Sequence, residues 1–334
     1  MNKRLFNPGR KRKATLKDVA GRLGLSVSVV SRALSRRPDK NARVAPNTVR
    51  KIAAAAKILN FHPNRAAEFI KRGALPTIGV FVSATPNQLI ADLLFGISES
   101  AQEEGFPLQI DGDFSVKGFR RFMRHNLDLA HSGVISYPML ITQPQIAREV
   151  ERFRMGGGKI VLLNCALEIP GVPVVAMDER LGGRLAAERL LARRCKAFAV
   201  AGKFKERGPG FAEKLAEAGR SADFFSKDET GLRKLIKFCK ASARPAGIFA
   251  VYDILALAVI RLLRQAGLNP GHDVLVVGYD NMKLGEVTDP PLTTIHQPFR
   301  EEGRLAARKL INLIYGVEEK SILLSPRLVA RESG

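Results

Sequence analysis

The chain has 334 residues, enough for two or three domains at about 100–200 residues each. Its 46% hydrophobic residues can build real cores, and its 26% charged residues exclude a membrane protein. The net charge is +22, of which residues 1–75 supply +16 through 19 Lys/Arg against three acids; a basic head on a nearly balanced body points to a polyanionic partner met by the head.

The amino-terminal MNKRLFNPGRKRK has no apolar stretch of the kind a secretory signal needs. The longest apolar run, Ala246 to Leu263, is broken by Asp253 and reads as a strand followed by a helix. Cys165, Cys195 and Cys239 are too far apart for a CxxC site or a disulfide framework. A reduced, cytoplasmic protein is expected, with no membrane association.

Residues 1–14 form a basic tail, which serves either as a solubilising segment or as an arm tracking phosphates. Thr15 to Leu34 (TLKDVAGRLGLSVSVVSRAL) predicts two short helices. Thr15 caps the first, Asp18 sits in its first turn, and Leu16, Val19, Ala20 and Leu23 recur at helical spacing. Gly24 stops it, and Ser26 caps a second helix with Val29, Val30, Ala33 and Leu34 on its apolar side. Two short helices joined by a glycine-containing break suit a helix-turn-helix. An ordinary helical hairpin has the same arithmetic; the basic charge and the exposed Val27, Ser28 and Arg32 favour DNA. Arg36 to Arg43 reads as a charged loop, and Pro46 to Asn60 as a third helix with a poor cap at Ala45. Asn64 to Arg72 has helix-forming residues but is too short to be stable alone.

These segments resemble the DNA-binding head of the lactose-repressor/purine-repressor (LacI) family over Thr15–Gly73, with one longer loop at Arg36–Arg43. The resemblance rests on DVA, VSRAL, the third-helix pattern and HPN in order. It implies that Val27, Ser28 and Arg32 enter the major groove. It makes Asn64–Lys71 a hinge helix that folds on DNA, with Asn64 at its start. Ile70 stands where a leucine wedge is usual, and Ala67 at the small position where two hinge helices pack. Val29 departs from the usual threonine. The head then covers 15–62, and the hinge helix and linker 63–76.

From Thr77 onward TIGVFVS, PLQIDG, GVISY, KIVLLN, PVVAM, AFAVAG, AGIFA and VLVVG read as strands. Amphipathic runs such as Leu89–Glu104, Gly118–Ala130 and Glu179–Arg194 lie between them. Such alternation predicts parallel sheets covered on both faces, with ligands beyond the carboxyl ends of the strands. The same family resemblance continues in LLFGISESAQEEGF, VAMDERLGGRLAAERL, VLVVGYDN and PPLTTIHQPFREEGRLAARKL. It implies an all-α helix-turn-helix head joined to an α/β effector domain of the periplasmic-binding-protein type. That domain, 77–334, has two Rossmann-like lobes joined by three crossovers: about 77–175 with 299–318, and about 176–295 with 319–334.

A small ligand would lie between the lobes. By the resemblance, Arg207 offers a fork to ligand hydroxyls and Asp280 accepts from neighbouring ones. Asn164 and Met177 end two strands at the lobe junction, Tyr252 stands where an asparagine is usual, and Gln297 lies in the returning crossover. A fork donor beside a carboxylate acceptor suits a carbohydrate-type effector; a purine or other metabolite is the alternative. Against a sugar, the chain has no tryptophan to stack on a ring face.

Gly156–Gly157–Gly158–Lys159 lacks the spacing of a phosphate loop and reads as a helix stop. The five histidines form no metal-binding pair and no GxSxG elbow is present. The expectation is therefore a ligand-responsive transcriptional regulator, a repressor without cofactor or catalytic residues. It would act as a homodimer on a pseudo-palindromic operator in double-stranded DNA. No carboxyl-terminal leucine-repeat tail for tetramers is seen. The rivals are a cytosolic sugar-binding protein with an incidental basic head, and an enzyme on the α/β body.

Overall fold

The computed structural model describes residues 14–35, 38–61, 75–82 and 87–334. The head begins with α1 (Leu16–Leu23), α2 (Val27–Ala33), α3 (Pro38–Asn41) and α4 (Pro46–Ile58). Thr15 closes a capping box with Asp18, each side chain meeting the other's backbone N–H, and Gly24 turns the chain at φ 64°. Ser26 caps α2 by accepting from the Val29 N–H. Val19, Ala20, Val30, Ala33, Ile52, Ala55, Ala56 and Phe61 close a small separate core. The segment read as a charged loop contains α3, where Pro38 supplies a preset first-turn φ. Helix α4 ends two residues earlier than its apolar pattern suggests, and Asn60 takes φ 49°. The tail and the hinge, with Asn64, Ala67 and Ile70, lie outside the described residues.

The body holds two six-stranded sheets. The first is built from β1 (Leu75–Val82), β2 (Leu108–Gly112), β3 (His131–Tyr137), β4 (Ile160–Leu163), β5 (Val174–Met177) and β11 (Ile322–Leu324). These run in the order β11-β5-β4-β3-β1-β2, and every pair is parallel. The second has β6 (Ala197–Ala201), β7 (Asp223–Phe225), β8 (Ala246–Ala250), β9 (Val274–Asp280), β10 (Thr293–His296) and β12 (Arg327–Val329). Its order is β12-β10-β9-β8-β6-β7, parallel except for the β10–β12 edge. The β4 residues are buried throughout, and β8 likewise; such unbroken apolar runs are what a sheet covered on both faces requires.

The covering helices of the first lobe are α5 (Gln88–Glu103), α6 (Val116–Asp128), α7 (Gln143–Met155) and α12 (Phe299–Ile314). Those of the second are α8 (Glu179–Ala192), α9 (Arg207–Glu217), α10 (Glu229–Ala241) and α11 (Asp253–Gln265). The chain crosses between lobes three times: after β5, between β10 and α12, and between β11 and β12. Two expected lobe boundaries move. All of β5 belongs to the first sheet, and so does β11, because Leu323 and Leu324 pair with Ala176 and Met177. Strands β7, β10, β11 and β12 have three or four residues each, too short to show a two-residue period against their neighbours.

Candidate functional site

On the head, α2 presents its amino-terminal end to solvent. Val27 is 40% exposed and Ser28 lies beside it. The Arg32 Nε donates to the Ser28 carbonyl at 3.2 Å, which holds the guanidinium along the same face one turn on. The side that faces inward is Val30 and Ala33. All three predicted contact residues therefore share one outward face.

In the body, the predicted ligand residues stand where the strands of the two sheets end. Asn164 follows β4, Met177 ends β5, Tyr252 follows β8, Asp280 ends β9 and Gln297 follows β10. Arg207 opens α9, after the loop that leaves β6. Asn164, Asp280 and Asn281 have φ of 46°, 118° and 53°. Asparagine adopts φ near 50° readily in turns, whereas φ 118° is rare for any residue with a side chain; Asp280 ends β9, and Asn164 and Asn281 directly follow strand ends of the body. Asn164 ties two strands together, its Oδ1 accepting from the Met177 N–H at 2.9 Å.

Arg207 is almost fully buried, at 4% exposure. Its fork does not face an open space. The Nε and Nη2 donate to Glu179 at 2.5 and 3.0 Å, and Nη1 donates to the Val251 carbonyl at 2.6 Å. Asp280 Oδ1 lies 3.5 Å from the same Nη1. The guanidinium also lies over the rings of Phe204 and Tyr279, 3.9 and 3.7 Å from their centroids. Burial works against its charge, but the attraction of Glu179 outweighs this and raises its pKa. The expected fork to ligand hydroxyls is thus turned inward, onto a carboxylate that sequence reading missed. Glu179 directly follows the α8 cap Asp178, where an acid is ordinary at a helix start, so nothing in the sequence marked it.

Asp280 Oδ1 accepts from the Gln297 Nε2 at 2.7 Å. This bond joins the end of β9 to the crossover that returns to the first lobe. Burial pushes the Asp280 carboxyl up to about 7, against the pull of Arg207. Asp253, buried at the start of α11, accepts from Thr294 Oγ1 at 2.6 Å and from the Met282 N–H at 2.7 Å. Burial raises its pKa to about 6, and its bonds brace the loop after β9. Tyr252, partly buried, precedes it and packs on the second-lobe core.

Two further buried groups of the first lobe lie within electrostatic reach of these residues. Tyr137, at the end of β3, is buried and feels the charges of Glu302, Glu179, Arg207 and Asp280. Glu302, on α12, is fully buried beside Asn164. Its sequence signal was a carboxylate in the inward run Phe299, Glu302, Gly303, Ala306, Ala307, Leu310. The arrangement can bind and orient a small polar molecule. Among the described residues no group of His, Cys, Asp and Glu is placed to hold a metal.

Comparison with known proteins agrees with both parts. Residues 15–64 match the family described as bacterial regulatory proteins, lacI family. Residues 175–334 match the periplasmic binding protein-like domain. The ribose operon repressor of Escherichia coli (strain K12) is 30% identical over 339 residues, covering 96% of this chain and 99% of that repressor. The HTH-type transcriptional repressor PurR of Aliivibrio salmonicida (strain LFI1238) is 27% identical over 337 residues, covering 96% of this chain and 98% of that one. Among solved structures, the transcriptional regulator CelR in complex with cellobiose is 26% identical with a TM-score of 0.66, covering 96% of this chain and 100% of that chain. A helix-turn-helix head, a two-lobed body and full-length repressor relatives together establish that the chain belongs to the lacI family of bacterial regulatory proteins and is a DNA-binding transcriptional regulator.

Proposed function

We propose that the chain is a cytoplasmic repressor whose affinity for its operator is set by a small carbohydrate-type effector held between the lobes. The observation that carries this reading is the Arg207–Asp280–Gln297 chain of contacts, which spans the second lobe and the crossover to the first. Asp280 Oδ1 takes the Gln297 amide, and Oδ2 has no protein donor among the described residues. It can accept from ligand hydroxyls, while Arg207 and Glu179 hold its surroundings in place. A ligand there changes the balance of contacts between lobes, and so the packing of the first lobe on a partner copy. The bound sugar in the CelR structure supports a carbohydrate class.

A second copy of the chain would sit on the outer face of α5 and β2. There Phe95 is 60% and Ile110 54% exposed beside a groove of about 520 Å³. In that dimer Val27, Ser28 and Arg32 read two half-sites, while Asn64, Ala67 and Ile70 supply the hinge between them. No catalytic step is part of this reading.

The test is selection of bound duplexes from random DNA, with and without neutral sugars, sugar phosphates and nucleobases. A pseudo-palindrome whose retention changes with a sugar, and no longer changes in Asp280→Asn, supports the proposal. Retention that responds only to nucleobases overturns the carbohydrate class. Retention that responds to a sugar equally in Asp280→Asn overturns the site.

A further inference from the structure

Among the described residues, three carboxyl groups and the Arg207 guanidinium stand close to the predicted ligand residues. Glu179 and Asp280 both face Arg207 from the second lobe. Glu302 adds a third carboxyl from α12 of the first lobe. It is 0% exposed, neither of its oxygens has a hydrogen bond of good geometry among the described residues, and burial raises its pKa well above the ordinary carboxylate range, with the Asn164 side chain opposing this. Its polar surroundings are those of the cleft: Asn164 is beside it, the charge of Glu179 reaches it, and both act together on Tyr137.

Packing alone does not account for this carboxyl. The neighbouring inward positions of α12 are Phe299, Gly303, Ala306 and Ala307, and an apolar side chain would serve the same place. The first-turn dipole of α12 favours an acid, but Glu301, on the same turn and more exposed, already meets that preference. A buried carboxyl with no more than one amide neighbour is costly, and burial favours its protonated form until a cation is brought against it. Pairing with a cation removes that cost, and a charge-assisted hydrogen bond is the stronger kind.

We propose that the effector carries a basic nitrogen as well as hydroxyls, as an amino sugar does, and that its ammonium group is held by Glu302. This rests on the reading that the effector binds between the lobes. The hydroxyls meet Asp280 on the other side, and the ammonium pairs with the Glu302 carboxyl, which an anionic ligand cannot do. A site built to pair an ammonium discriminates against the neutral analogue, since the buried carboxyl is again left alone.

The experiment measures thermal shifts and affinities of the full chain for matched probes: glucosamine, glucose and N-acetylglucosamine, with the galactose series and mannose series alongside. The expected result is at least one amino sugar bound about tenfold or more tightly than both neutral counterparts. In Glu302→Gln that preference falls toward one, and Glu302→Asp keeps part of it. Glu302→Gln removes the ability to carry a charge and keeps the volume; its cooperative unfolding checks that it folds. An amino sugar bound no better than its neutral counterpart, a preference unchanged in Glu302→Gln, or no amino sugar bound at all overturns the inference. Where a neutral sugar binds and Asp280→Asn abolishes it, the cleft reading stands and the ammonium inference alone fails. Where sugar binding survives both Asp280→Asn and Gln297→Ala, the cleft reading itself fails.

Discussion

Arg207 ties three elements of the second lobe together. It joins α8 through Glu179, the end of β8 through the Val251 carbonyl and the end of β9 through Asp280. Removing one partner of a buried ion pair leaves the other charge uncompensated, at a cost of about 3–5 kcal/mol. Arg207→Ala should therefore lower stability by about that much, and Glu179→Gln on Arg207→Ala should recover part of the loss, as a double-mutant cycle in urea would show. Arg207→Lys should not rescue it, because a lysine has no planar fork for Glu179. Asp280 yields a pH prediction. Its carboxyl, raised by burial from an ordinary 3.8 to about 7, keeps its proton in the folded state where the unfolded chain has lost it. The folded state thus binds more protons between about pH 4 and 7, and stability falls as pH rises through that window. Asp253, raised to about 6, acts in the same direction over a narrower range. Thermal unfolding of Asp280→Asn should show a flatter pH dependence there than the parent; an unchanged profile would mean that Asp280 does not titrate in that range.

Helices α5 and α12 cross with a glycine from each at the contact. A Cβ on Gly303 of α12 would come 2.2 Å from the Leu93 carbonyl oxygen of α5, and one on Gly96 of α5 would come 1.9 Å from the Arg300 carbonyl oxygen. Backbone cannot yield as a flexible side chain can, so the helices must part. Gly303→Ala is expected to destabilise the first lobe by about 1–3 kcal/mol, as overpacking does. Gly21, on the open side of α1, has nothing within 4 Å of its would-be Cβ and no positive φ. Gly21→Ala should stabilise the head by up to about 1 kcal/mol through helix propensity alone. Calorimetry of the two variants decides between these opposite signs; a stabilised Gly303→Ala would show that the crossing is looser than its geometry. The caps act at the same level: Thr15 and Asp18 satisfy each other's backbone groups, which fixes where α1 starts and so the angle at which α2 is presented.

Taken as a whole, the molecule separates its charge from its ligand chemistry. Residues 1–75 carry +16 of the net +22 in the sequence, while the predicted ligand residues belong to the body. DNA affinity should fall linearly on a log–log plot against salt, with a slope of about −0.9 per phosphate neutralised. Arg32→Ala should cost about 1–3 kcal/mol on the selected operator and less on random DNA, as a lost base contact does. Equal losses on both would make Arg32 a phosphate contact, and filter binding at several salt concentrations separates the two. No helix among the described residues is long and apolar enough to cross a membrane.

The sequence by itself determined what depends on neighbours along the chain. The caps Thr15 and Ser26, the glycine break at Gly24 and the long buried strands β1, β3, β8 and β9 follow from local periodicity and turn chemistry. Motif order then carried the two-part architecture. Only the tertiary structure decided the edge strands, the lobe to which β11 belongs and the contents of the cleft. Strands of three or four residues take their form from the partner strand, as β11 does from β5. Likewise Glu179 reads as an ordinary first-turn acid until α9 brings Arg207 against it, 28 residues later. Glu302 reads as one more charge on an amphipathic helix until the fold closes around it, because burial is a property of the whole packing and not of the residue.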